Sequence, residues 1–174
     1  DFILVRYNAP NASQMYPLAN NVDATIAGAE AGVGYQFNEH LQADLSAMYA
    51  WGENTTDNKP LPQIAPLEGR LNLRYVQEKY SLGLLWRAVA EQNRISLNDG
   101  NIVGYDMGKS KAFSTLAMNA TYKYSEALDF SVGIDNLLDK AYSEHLNKSG
   151  AALFGYAANE QFNNIGRNYW ARVS

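Results

Sequence analysis

Six side chains in this sequence carry donors for a soft metal ion. Met15, Met48, Met107 and Met118 offer thioether sulfur, and His40 and His145 offer imidazole nitrogen. Those are the donors that copper(I) prefers. No two of the six stand at a ligand spacing such as His-x-x-x-His, so no metal site is assigned. No nucleophile stands beside a base, and neither histidine has a carboxylate fixed next to it, so the sequence points away from catalysis. The chain has no cysteine, which excludes a disulfide framework and a thiolate metal site.

A second group of side chains carries charge at regular spacing. Glu30, Asp44, Glu68, Arg70, Arg74, Arg87 and Glu91 all fall on one face of alternating stretches. Charges on a strand face need water or partners. Arg70, Arg74 and Arg87 could form a basic strip that guides an anionic chelate. Alternatively they pair with Glu68, Glu91 and acids outside this segment. Opposite charges alternate along the same strands, which favours pairing.

The elements that position these residues are strands. Leu41, Ala43, Leu45, Ala47, Tyr49 and Trp51 share one face, while Gln42, Asp44, Ser46, Met48, Ala50 and Gly52 share the other. That period of two defines a strand with two unlike faces. Similar alternation predicts strands at Asp1–Tyr7, Thr25–Phe37, Leu67–Val76, Tyr80–Glu91, Thr115–Tyr124, Phe130–Asp135 and Arg167–Ser174, eight in all. Met118 falls on the apolar face and Met48 on the polar one. The connections run long, short, long, short, long, short, long. The short ones are Asn38-Glu39-His40, Gln77-Glu78-Lys79 and Ser125-Glu126-Ala127; Asn8–Asn21, Glu53–Pro66, Gln92–Ala112 and the stretch up to Ile165 are the long ones.

This regularity is that of a transmembrane barrel, with short turns at one interface and long loops at the other. Ten steps of about 3.3 Å, tilted by about 40°, rise about 25 Å, the height of the apolar band in such barrels. Tyr35, Phe37, Tyr75, Tyr80, Tyr122, Tyr124 and Phe130 lie beside the short turns, and Tyr49, Trp51 and Trp86 towards the long loops. Aromatic girdles at both interfaces follow this distribution. No run of 18 apolar residues is present, so no transmembrane helix is expected. A net charge of −4 argues against nucleic acid as a partner. A soluble barrel also alternates, with its apolar face turned inward.

Three stretches add a more specific likeness. Phe130–Tyr142, FSVGIDNLLDKAY, is a strand that ends in Asn136-Leu137-Leu138-Asp139-Lys140-Ala141-Tyr142. It resembles the "NLxDxxY" segment that precedes the last long outer loop of TonB-dependent outer-membrane receptors. Gly166-Arg167, opening GRNYWARVS, looks like the "GR" start of the receptors' final strand. Leu61-Pro62-Gln63-Ile64-Ala65-Pro66 is similar to the "P-x-x-x-P" stretch that feeds a down-going strand in the same family. The run AYSEHLNKSG followed by GRNYWARVS looks most like the copper-receptor branch.

The resemblance implies an all-β fold. The chain would be a transmembrane antiparallel up-and-down β-barrel segment, about eight C-terminal strands of a barrel of about 22. It implies outer-membrane lipid as surroundings in a Gram-negative cell. Partners would be the receptor's own N-terminal plug, the remaining strands, and TonB acting through the plug. The plug is expected outside residues 1–174, and so are the main metal ligands. It implies import of a scarce metal or metal chelate, copper in the full receptor, with no cofactor in this segment. The family's strand also runs on to a terminal aromatic, whereas this sequence stops at Ser174. An apolar strand opens the chain abruptly, which fits a segment of something longer. Asn136, Leu137, Asp139, Tyr142, Gly166 and Arg167 are the family motif residues, read as structural. The competing reading is a complete eight-stranded outer-membrane barrel with a structural or adhesive role.

Overall fold

A computed structural model describes residues 1–7, 18–147, 155 and 161–174. The expected loop at Asn8–Asn21 and Met15 fall mainly outside these residues. Among the described residues the chain is built of antiparallel strands and contains no helix. The strands are β1 (Phe2–Arg6), β2 (Leu18–Val22), β3 (Ala24–Gln36), β4 (Leu41–Asn54), β5 (Lys59–Pro60), β6 (Glu68–Val76), β7 (Tyr80–Val89), β8 (Asp99–Gly100), β9 (Phe113–Ser125), β10 (Leu128–Asp135) and β11 (Asn168–Val173).

Seven long strands form the wall, in the order β11-β10-β9-β7-β6-β4-β3, and β5 adds a two-residue eighth strand beside β4. Each neighbour in the wall follows its predecessor in the chain, so the topology is up-and-down. The register keeps like faces together. Leu45 pairs with Val33 on one side and Leu71 on the other, and Leu71 pairs with Trp86. Met48 pairs with Glu30 and with Glu68. A slip of one residue would exchange the two faces, so the alternation itself pins the register. β3 and β11 do not pair with each other among the described residues. The sheet is thus an open arc, and the eight-strand closed barrel is not formed.

The first expected strand has a different place. β1 pairs with β2 and β8 in a separate three-stranded sheet. β2 joins β3 through Asp23 alone, so β1 and β2 lie against the long connections before the chain enters the wall. Two residues of the expected third long loop supply β8. β1 does not alternate in burial as expected: the neighbours Leu4 and Val5 are both buried, and Ile3, on the face of Val5, is 61% exposed. The strand packs a loop cap instead of crossing a membrane.

Burial separates wall from cap. Val33, Tyr35, Leu45, Tyr49, Leu82, Trp86, Met118, Val132 and Val173 all lie open on the wall's apolar face. The buried apolar residues Leu4, Val5, Val22, Leu61, Val89 and Phe113 lie in the cap or at the strand ends that meet it. An apolar face this broad is stable against lipid and not against water. At the short-turn end Tyr35 meets Phe37 edge-on at 4.9 Å, Tyr75 lies 6.2 Å from Tyr80, and Tyr124 meets Phe130 at 6.4 Å. These pairs form the girdle there.

Candidate functional site

The three long connections of the wall meet at one carboxylate. Asp106, from the β7–β9 connection, is fully buried. Its Oδ1 accepts the Gln63 backbone N–H at 2.9 Å and the Gln63 side-chain amide at 3.1 Å, both from the β4–β6 connection. Its Oδ2 accepts the Ser96 backbone N–H at 2.9 Å. The β10–β11 connection brings His145 Nε2 to 3.4 Å from Oδ1. Gln63 has a φ of 61°, a left-handed conformation that aims its main chain and side chain at the same acceptor. Burial pushes the Asp106 carboxyl up. The His145 ring and the N–H groups of Gln63 and Ser96 outweigh that and hold it below the usual carboxylate range.

A second charged group anchors the cap to the polar wall face. Glu68 Oε1 accepts from Arg70 Nε at 2.5 Å and Glu68 Oε2 from Arg87 at 2.6 Å. Arg87 also donates to both oxygens of Glu144, at 2.5 and 3.1 Å. The guanidinium lies over the Phe113 ring at 5.4 Å, and Phe113 stacks on Tyr142 at 4.3 Å. The pairing expected of Arg70 and Arg87 with Glu68 is present. Glu91, however, accepts from Asn93 instead, and Glu144 takes the place foreseen for it. Arg74 makes no ion pair among the described residues.

The motif residues converge although 30 positions separate their halves. Asn136 is buried with a φ of 47°; it accepts the Lys140 N–H and donates to the Lys140 carbonyl, each at 2.9 Å. Asp139, at φ 52°, accepts the Arg167 backbone N–H at 2.8 Å. Arg167 Nε donates to the Leu137 carbonyl at 2.9 Å. The Leu137 N–H in turn donates to Leu116 on β9 at 2.7 Å. A Cβ on Gly166 would lie 2.8 Å from Asp139 Oδ1, so a larger residue there would have to push the carboxylate aside. Tyr142 supplies the stack on Phe113. Together these contacts tie the start of the final strand to the end of β10.

The soft donors do not gather. Met48 lines a cavity of about 410 Å³ on the polar face, with Glu30, Ser46, Glu68 and Arg70. Met118 is exposed on the apolar face. His40 sits in a short turn, its Nδ1 3.0 Å from the Val76 carbonyl, at the opposite end from His145. Among the described residues no group of three or more His, Asp or Glu is arranged to hold a metal ion. His145 departs most from expectation. An isolated loop histidine reads as solvated, yet it is 4% exposed. Neither it nor Asp106 carries a local sequence signal, because their partners come from other loops.

The chain matches the family model described as TonB dependent receptor-like, beta-barrel, over residues 1–137. Among solved structures it is similar to the copper transporter OprC, with 46% identity over 99% of this chain and a TM-score of 0.93. It is similar in fold to the ferric enterobactin receptor PfeA from Pseudomonas aeruginosa, with 18% identity over 89% of this chain and a TM-score of 0.68. It is likewise similar to the ferric citrate transporter FecA, with 14% identity over 85% and a TM-score of 0.65. The chain spans 26% of the first of those chains and 23% of each of the other two. No curated protein matches it. Members of this family are transporters and not enzymes. With a matching family model over most of its length and an open up-and-down wall under a loop cap, the chain belongs to the TonB-dependent receptors as part of their β-barrel.

Proposed function

We propose that this chain forms wall and outer loops of an outer-membrane receptor that imports a scarce metal or metal chelate, with copper as the cargo. The observation that carries the reading is the 46% identity to a copper transporter along 99% of the chain. The iron-chelate receptors share the fold at much lower identity and lend the copper reading no support. In this reading the long loops and the polar face capture the cargo. Passage then follows TonB-driven displacement of a plug seated in the barrel. The principal copper ligands come from the plug and the preceding strands.

Cells that depend on the receptor carrying this chain would test the reading. Cell-associated copper is measured by mass spectrometry, with and without TonB. The expected result is receptor-dependent copper accumulation that disappears when TonB is removed. Accumulation identical with and without the receptor would remove copper as the cargo. Accumulation indifferent to TonB would remove the transport mechanism.

A further inference from the structure

A cavity of about 320 Å³ lies at the outer mouth between the β7–β9 and β10–β11 connections. Three of its lining residues are Lys109, Lys111 and Lys140. Among the described residues no Asp or Glu lines it, and none of the three lysines makes an ion pair. Three arginines that reach the cap behave differently: Arg6 meets Asp57, Arg87 meets Glu144, and Arg94 meets Glu53. The three lysines are exposed, and like charges gathered at one mouth repel one another. An anion in the cavity relieves that repulsion.

The cavity is also built. Lys140 has both its backbone polar groups held by the Asn136 side chain. Phe113 and Tyr142, stacked on each other, form part of the lining. Phe113 shares the wall face of Arg87, so the cavity belongs to the mouth above the polar face. Ser143, Gln161 and Asn163 add neutral polar groups. Lysine acts as a point charge and accepts carboxylate or phosphate without a fixed fork geometry.

We infer that this cavity binds an oxyanion group, a carboxylate or a phosphate, held by Lys109, Lys111 and Lys140. The inference stands apart from the identity of the transported metal. The same chemistry is offered by a dissolved oxyanion and by the phosphate of a lipid headgroup. The position above the polar face favours the dissolved one.

The test uses the full receptor in phosphatidylcholine nanodiscs, titrated calorimetrically with citrate and with inorganic phosphate. The expected result is binding that weakens with salt and falls at least tenfold in the triple variant K109Q/K111Q/K140Q. The triple Lys→Arg variant should retain binding, which separates charge from folding. In a second arm, lipids that copurify with the receptor are measured by mass spectrometry. Loss of a phosphorylated lipid in the glutamine variant, without citrate or phosphate binding, would keep the anion site and place the anion on lipid. Binding unaffected by the glutamine substitutions, or absent in both arms, would overturn the inference.

Discussion

Asp106 and His145 face each other across 3.4 Å with almost no solvent exposure, and they belong to different loops. Gln63 and Ser96 complete the knot. All three long connections of the wall therefore meet at one carboxylate. Asp106→Ala leaves the buried Ser96 N–H without an acceptor, which costs about 1–3 kcal/mol, and it frees Gln63 as well. Asp106→Asn keeps an acceptor and should cost less. Trypsin cleavage within the 90–112 segment reads this out, with the alanine variant cut fastest. Equal protection in both variants would dismiss the knot.

The same carboxylate sets a pH dependence. Its folded value lies below the usual one of about 4. A depressed carboxylate stabilises the fold fully above its unfolded value, and that contribution is lost as pH falls through the folded value. The loop cap should therefore keep this contribution at neutral pH and lose it only in acid below about pH 4. Protease protection of the natural chain and Asp106→Asn, compared from pH 7 downwards, should converge only in that acid range.

Arg87 bridges wall and cap, whereas Arg70 lies at the edge of the network. Arg87 is 20% exposed between two carboxylates, and Arg70 is 55% exposed beside one. Removing a buried partner of an ion pair costs about 3–5 kcal/mol, and removing an exposed one about 0–1. Arg87→Met should approach the first range, reduced by its residual exposure, and Arg70→Met should fall in the second. Thermal unfolding of the receptor in detergent measures both. An Arg70 effect as large as that of Arg87 would contradict the assignment.

The Asn136 turn separates two contributions. Alanine at φ 47° takes on strain of about 1–2 kcal/mol and also loses the bonds to Lys140. Glycine loses the same bonds without the strain. Asn136→Gly should therefore be the milder substitution by thermal midpoint, and the reverse order would refute a left-handed turn.

Gly133 and Trp170 are cross-strand partners, and the Trp170 ring occupies the place of a Gly133 side chain. Gly133→Val drives the ring away and should cost about 1–3 kcal/mol. In a Trp170→Ala background that cost should largely vanish. A double-mutant cycle of thermal midpoints checks the coupling. Additive effects would mean that the ring does not fill the space.

The wall was legible in the sequence because alternation is a local property. Leu41 to Gly52 declare two faces by order alone, and the face that carries Leu45, Tyr49 and Trp86 is the one left open on the wall. The short turns and the aromatic pairs beside them are equally local. The likeness carried by FSVGIDNLLDKAY and the Gly166-Arg167 pair also rests on residue type and order alone. Tertiary structure decided everything assembled from separate loops. It moved β1 out of the wall, because a strand pairs with whichever edge the chain brings to it, and here that was β2 and β8. It turned His145 from a loop residue into a buried partner of Asp106, and it gave Arg87 to Glu144 in place of Glu91. Such pairings span 39 and 57 positions and leave no periodicity, since only the folded cap brings their charges together.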